Sequence, residues 1–410
     1  MVLTASILAI GDELLQGHTV DTNSPWIAQI LFPYGVKIIE RRAIPDDKSA
    51  IKSATKDLLA NRPGFLFVTG GLGPTHDDIT RAAFKELFGV EEIFDADYFE
   101  QLRQRFAKRG FDIPASNRSQ AMILSNSDPI PNGHGTALGM HIVEEDTQIF
   151  LMPGVPREMK GMIADWIIPH YITEGSAPLQ MSLNTTGVPE SKLADELQDV
   201  LSKYSDQVQF AFLPHHTGVN IRLTGRQVGN DSQVEKVVTL LRERIGKSLY
   251  GDNDDTMSSV VARILQKKKL TVAVAESCTG GMIAKQLTDI PGSSDYFLGG
   301  VVAYSNDLKT KMLQVDDQII AQHGAVSPEV ARLMAESIRS STGAHFGIGT
   351  TGISGPGGGS PEKPVGLVYV SLATPEKTVI HKYHFLPERQ RHREMTTQAA
   401  LNLVRLSALE

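Results

Sequence analysis

FLFVTGGLGPTHDDIT, residues 65–80, reads as a short apolar strand that breaks into a glycine-rich turn and then opens a helix. Residues 65–69 show no polar alternation, as expected of a strand buried on both faces. Gly70-Gly71-Leu72-Gly73-Pro74 ends it, and Ala82, Ala83, Leu87 and Phe88 then share one helical stripe. The flanks repeat this pattern. Residues 3–10 form an apolar strand that runs into Gly11-Asp12-Glu13. Ser24-Pro25 reads as a helix cap followed by proline at the first helical position, with Ile27, Ile30 and Leu31 on one face. Residues 36–41 make the next strand, and Asp46-Asp47 opens a helix striped by Ile51, Ala54, Leu58 and Leu59. The βαβα order predicts an α/β fold with a mostly parallel sheet covered by helices.

The rest of the chain extends the count. At about 150 residues per domain, 410 residues make roughly two to three domains. After residue 168 the pattern changes to strands at 181–187, 209–213 and 219–224 and helices at 190–204 and 232–248, a small α+β unit. The polar, acidic stretch 250–255 reads as a linker. A third unit follows: a helix at 257–268, a strand at 270–275, a helix opened by Ser327-Pro328-Glu329, strands at 345–349, 365–373 and 379–385, and a closing helix at 388–409. The expected division is 1–168, 169–250 and 251–410.

Composition excludes several classes. Hydrophobic residues at 41% and charged residues at 21% rule out wholesale disorder. The single cysteine, Cys278, permits no intramolecular disulfide and no multi-cysteine metal centre. No apolar run reaches about 18 residues, and the first residues lack a basic leader, so a cytoplasmic protein with no membrane partner is expected. The net charge of −7 argues against a general nucleic-acid binder.

Two constellations carry chemistry. In the first, glycines let backbone N–H groups approach a phosphate beyond the carboxyl ends of the strands. The adjacent carboxylates Asp77 and Asp78 suit a phosphate when a divalent cation lies between. Asp12, Glu13, Asp21, Asn23, Asp46 and Asp47 follow other strands and fall at the same edge; each acid taken singly reads as well as a helix cap. The loop lacks the Gly-Lys-Ser/Thr of a P-loop. In the second, Ala275-Glu276-Ser277-Cys278-Thr279-Gly280-Gly281 turns from a strand into a helix, exposing a hydroxyl with helix N–H groups as an oxyanion hole. Tyr304 and Lys309 follow the next strand, and a buried lysine can act as base. Arg393, in a basic run at 389–393, is available as a neighbouring cation or a phosphate clamp. A second glycine loop spans 349–359. Singly, Ser277 reads as a cap, and Lys309 and the arginines as solvated surface residues. Cys278 is a rival nucleophile. His215 and His216 point to opposite faces of a strand and do not make a metal pair.

GDELLQGHTVDTN (11–23), IPDD (44–47), GGLGPTHDDIT (70–80) and LMPGVPREM (151–159) resemble the N-terminal domain of the CinA (competence/damage-inducible protein A) family, which is similar to the molybdopterin-binding MoaB and MogA proteins. The resemblance implies a three-layer α/β domain that hydrolyses ADP-ribose to AMP and ribose 5-phosphate with a divalent metal, Mg or Co. It gives Asp78 the catalytic role, Asp12, Glu13, Asp46, Asp77 and Asp78 the metal, and Gly71, Gly73, Thr75 and Asn23 the substrate. Residues 169–250 resemble the family's KH-like segment, although no basic GxxG loop stands at 203–226, so a connecting and dimerising role is expected. AESCTGG (275–281), YSNDLK (304–309), QHGAVS (322–327) and GISGPGGGSPEKPVG (352–366) resemble the family's C-terminal domain, also found alone as PncC. That implies deamidation of nicotinamide mononucleotide without a cofactor. Ser277 would be the nucleophile, Lys309 the base, Tyr304 a relay and Arg393 a phosphate ligand. Thr279, Gly280, Gly281, Thr351, Gly352, Gly355, Gly357 and Gly358 would bind substrate. The same resemblance implies a homodimer. Two alternatives stay open: molybdopterin-related nucleotidyl transfer, or a non-catalytic, competence-associated nucleotide-binding protein.

Overall fold

The computed structural model describes residues 3–75, 78–172 and 175–410. It divides into two compact units, Met1–Pro178 and Leu179–Glu410.

The first unit is built on β1 (Thr4–Ile10), β2 (Lys37–Ile44), β3 (Phe65–Thr69), β4 (Glu92–Phe94), β5 (Met122–Leu124), β6 (Ser127–Ile130), β7 (Gly139–Glu144) and β8 (Thr147–Met152). Six of them form one sheet in the order β2-β1-β3-β8-β7-β6, while β4 and β5 pair separately. Strands β2, β1, β3 and β8 run parallel; β7 and β6 are antiparallel. The continuous apolar reading of β3 has a direct cause. Leu66 and Val68 enter the core beneath the helices Lys48–Ala60 and Thr80–Phe88, whereas Phe65 and Phe67 enter the core on the opposite face with Ile27, Leu31 and Phe150. One expected cap is corrected. Helix Asn23–Leu31 begins before Ser24, and the Asp21 carboxylate accepts the Ser24 N–H at 2.9 Å, so the acid rather than the serine caps it.

The second unit opens with a four-stranded antiparallel sheet of β9 (Gln180–Thr186), β10 (Val208–His215), β11 (Gly218–Gly225) and β12 (Leu249–Asp252), in the order β10-β11-β9-β12. Helices Glu190–Tyr204 and Asp231–Ile245 share its core. The expected linker at 250–255 is therefore in part an edge strand. Leu249 packs on this core, Tyr250 on the next one, and Asp252 pairs with Arg242 at 2.6 Å.

A five-stranded sheet completes the unit: β13 (Val272–Glu276), β14 (Phe297–Val302), β15 (Phe346–Gly352), β16 (Leu367–Ala373) and β17 (Thr378–His384), in the order β14-β13-β15-β16-β17. The first three run parallel and the last two antiparallel. Helices Met257–Lys268 and Arg389–Leu409 cover one face, and Pro328–Thr342 covers the other. Gly347 and Gly349 let that last helix approach closely, since a Cβ at either would strike the carbonyls of Ala335 and Ala331. No helix among the described residues is long and apolar enough to cross a membrane.

Arg405 ties the closing helix to the start of β12. It is 4% exposed and donates to the carbonyls of Leu249 (3.0 Å) and Lys247 (2.5 Å) and to Asn402 Oδ1 (2.9 Å). Arg405→Ala leaves those carbonyls unpaired and is expected to destabilise this unit by about 2–4 kcal/mol. Scanning calorimetry checks this; an unchanged melting profile refutes it.

Candidate active sites

Strand β13 delivers Ser277 to the carboxyl edge of the second sheet. The Ser277 N–H donates to Thr350 O at 3.1 Å, and the Glu276 carbonyl accepts the Ala303 N–H at 2.8 Å. The nucleophile's turn, the end of β14 and the glycine loop after β15 thus meet at one edge. Helix Asn306–Leu313, capped by Ser305 Oγ on Leu308 N, carries Lys309 back toward that edge. The Lys309 side chain is 1% exposed, and its Nζ donates to Ala303 O (2.9 Å) and Tyr304 O (3.3 Å). Burial pushes its pKa down, which favours the neutral amine that a base requires. The expected help from Arg393 is not the cause of that shift. The expected exposed hydroxyl is corrected: Ser277 is only 8% exposed, and among the described residues its hydroxyl makes no hydrogen bond.

Cys278 departs from the rival reading. Its side chain packs in the core with Val274, Ile283 and Phe346, and burial pushes its thiol up to about 12. A thiol held there stays protonated near neutrality and is a poor nucleophile.

Four further expectations are corrected by the hydrogen bonds. The helix after the turn, Met282–Thr288, does not offer its first amides as an oxyanion hole. The buried Glu276 carboxylate already accepts the N–H groups of Gly281 (2.9 Å), Ile283 (3.2 Å) and Ala284 (2.8 Å). Tyr304 meets Lys309 through its carbonyl, while its exposed phenol accepts from Arg389 Nη2 at 2.9 Å. Arg393 spends Nε (3.1 Å) and Nη2 (2.8 Å) on the Thr279 carbonyl, which leaves Nη1 for a ligand. Thr351 donates its buried hydroxyl to Ala325 O at 2.7 Å and is not a free phosphate donor. Thr279 Oγ1 lies 3.0 Å from Thr350 Oγ1, tying the two loops together. In the glycine loop Gly352 ends β15, where Val368 leaves no room for a Cβ. Gly355 and Gly358 need positive φ (76° and 87°), and Gly357 and Gly358 are exposed. Gly280 and Gly281, also at positive φ (60° and 89°), complete the turn.

The first unit presents its own edge. The Asp12 N–H donates to Asp46 Oδ2 at 3.0 Å. Burial raises the Asp46 carboxyl above its usual range; that N–H opposes the shift, and the charges of Glu13, Asp12 and Asp78 add to it. Four of the five predicted acids therefore sit near one another, and Asp77 lies outside the described residues. Among the described residues, no three His, Cys, Asp or Glu side chains are placed to hold one ion, so this part does not by itself make a metal cage. The expected phosphate cradle is also corrected. Asp78 accepts from Gly73 N (2.6 Å) and Thr75 N (2.8 Å), as well as from the Thr75 hydroxyl, so those amides close on their own loop. Gly71 (φ 66°) has Thr80 where a Cβ would stand. Asn23 donates to Thr69 Oγ1 (3.1 Å) and Gly154 O (2.8 Å), pinning the ends of β3 and β8. It lines a small cavity of about 90 Å³ with Glu13 and Asp21.

Known proteins match this chain along nearly its whole length. Residues 254–408 match the family model described as CinA C-terminal domain, 180–251 the Damage-inducible protein CinA KH domain, and 6–171 the Probable molybdopterin binding domain. A CinA-like protein of Gemmatimonas aurantiaca is 42% identical over 375 residues, 89% of this chain and 87% of its own. Those of Chloroherpeton thalassium and Chlorobaculum tepidum are each 39% identical, covering 98% and 100% of this chain and 99% and 100% of theirs. The chain belongs to the CinA family. It has the family's MoaB/MogA-like N-terminal domain, KH-like middle domain and CinA C-terminal domain.

Within the CinA C-terminal domain, three residues that sequence reasoning passed over hold the site's loops. Arg389 joins Gly355 O (3.0 Å) to Tyr304. The fully buried His392 sets Nδ1 2.9 Å from Ser354 Oγ. Glu276 is the third. The signal for the first two was present. Positions 389, 392 and 393 fall on one face of the closing helix, so the basic run is no uniformly solvated surface.

Proposed function

We propose that the CinA C-terminal domain deamidates nicotinamide mononucleotide to nicotinic acid mononucleotide and ammonia. The observation that carries this reading is the buried Lys309 amine, driven toward its neutral form beside the strand end that bears Ser277. Ser277 Oγ attacks the carboxamide carbon as its proton passes to Lys309. The tetrahedral adduct collapses, and the proton leaves with ammonia. Water then cleaves the acyl-enzyme, again with Lys309 as base. The exposed part of the glycine loop and Arg393 Nη1 receive the 5′-phosphate. A cytoplasmic homodimer belongs to the same proposal. Incubating the full chain with nicotinamide mononucleotide is expected to release one ammonia per nicotinic acid mononucleotide formed; no release overturns the reading.

A second reading concerns the N-terminal domain, and the carboxylates around Asp46 favour it. We propose that this domain hydrolyses ADP-ribose to AMP and ribose 5-phosphate with Mg or Co. The negative charges of Glu13, Asp12 and Asp78 beside Asp46 suit a cationic partner, but the described side chains do not supply three ligands to one ion. Asp78→Asn is expected to lower ADP-ribose turnover by about 100-fold or more while leaving ammonia release intact. Unchanged metal-dependent turnover refutes the assignment, and turnover of molybdopterin with ATP instead selects the nucleotidyl-transfer alternative.

A further inference from the structure

We infer that Glu276 is a positioning residue for the Ser277 amidohydrolase site, fixing at once the nucleophile's turn and the carbonyl on which Lys309 rests. The inference rests on the deamidase reading above.

Glu276 ends β13 and is fully buried. A carboxylate removed from water needs compensation for lost hydration. Here the compensation is three backbone N–H donors, at Gly281, Ile283 and Ala284, with distances of 2.8–3.2 Å. Such charge-assisted bonds are short and directional. They clamp the far end of the turn 277–281, while Ser277 N on Thr350 O clamps its near end. Arg393 on the Thr279 carbonyl holds the middle. With Thr279 Oγ1 on Thr350 Oγ1 the turn is tied at four points, and only the Glu276 tie comes from the residue preceding the nucleophile.

The main chain of the same residue does the second job. Its carbonyl accepts the Ala303 N–H, and the Ala303 carbonyl accepts from Lys309 Nζ. A shift of residue 276 therefore moves serine and amine together. The carboxylate also withdraws the first amides of helix Met282–Thr288 from any substrate.

The test uses the full chain and nicotinamide mononucleotide. Glu276→Gln keeps the shape but turns an NH₂ toward backbone N–H donors, so at least one tie is lost. The expected result is a fall in kcat of about 100-fold with KM within about threefold, persisting at a temperature where circular dichroism shows the variant folded. Glu276→Asp keeps the charge but is one methylene short. It is expected to fold and to lie between wild type and the glutamine variant in kcat. Should Glu276→Gln fail to fold, the aspartate variant decides: wild-type kcat overturns the inference, and a reduced kcat at wild-type KM supports it. A folded Glu276→Gln protein with unchanged kcat also overturns it, as does a loss that merely tracks the unfolded fraction. Absence of ammonia release by the wild-type chain instead sinks the deamidase reading.

Discussion

Ser277→Ala is expected to lower ammonia release from nicotinamide mononucleotide by about three orders of magnitude or more, with little change in thermal stability. The hydroxyl makes no hydrogen bond that the fold needs, so its removal deletes the nucleophile and disturbs little else. The neighbouring substitution separates chemistry from packing. Cys278→Ala trims a small side chain from the core around Val274 and Phe346. It is expected to destabilise by about 1 kcal/mol and to leave kcat within about threefold. Elementary reactivity alone favours sulfur over oxygen, yet the fold reverses that order. It packs the thiol among apolar side chains, where burial pushes it up to about 12, and sets the serine, itself only 8% exposed, at the strand end. Assays of the two variants side by side check this. Loss of activity in the cysteine variant alone overturns the serine mechanism.

Much of the architecture was legible because the relevant signals are local. Phe65–Thr69 and Met257–Lys268 match their sequence-read bounds, since a glycine break or a cap followed by an apolar stripe marks each end. The stretch 250–255 misled because its acids look solvated. Asp252 and Asp255 in fact pair with Arg242 and Arg263, and the strand identity comes from β9, about 70 residues earlier in the chain. Such non-local pairing leaves no trace in periodicity.

The sites were legible in residue type but not in role. Ser277, Lys309, Tyr304 and Arg393 do assemble within one unit, and Asp12, Glu13, Asp46 and Asp78 do gather within the other. What the sequence left open is which polar atoms the fold itself consumes. Gly73 and Thr75 face Asp78, Thr351 faces Ala325, and the helix amides face Glu276. Each loop that resembles a ligand cradle has part of its donor set satisfied internally. A glycine-rich strand end thus predicts a loop that permits close approach, and it does not specify what approaches.

Lys309 is expected to give the second large effect, and its sign with pH is fixed by burial. Lys309→Met keeps the length of the side chain and removes the amine. We expect kcat to fall by about 100- to 10,000-fold. Lys309→Arg is expected to fail as well, because guanidinium stays protonated and cannot accept the serine proton. In the wild type the folded-state pKa lies below the usual lysine value of about 10.4. The neutral base therefore accumulates, and kcat rises, through a midpoint below that value. Stability carries the same signature. A folded pKa below the unfolded one means that the unfolded chain binds the proton more tightly, so folding is opposed at low pH. That opposition fades between the lowered folded pKa and about 10.4. Relative to Lys309→Met, the wild type should thus gain stability as pH rises across this window and then level off. Denaturant midpoints of the two proteins, measured alongside kcat from neutral pH upward, check both curves. If neither the difference in midpoints nor kcat changes with pH there, Lys309 is not the buried base of this site.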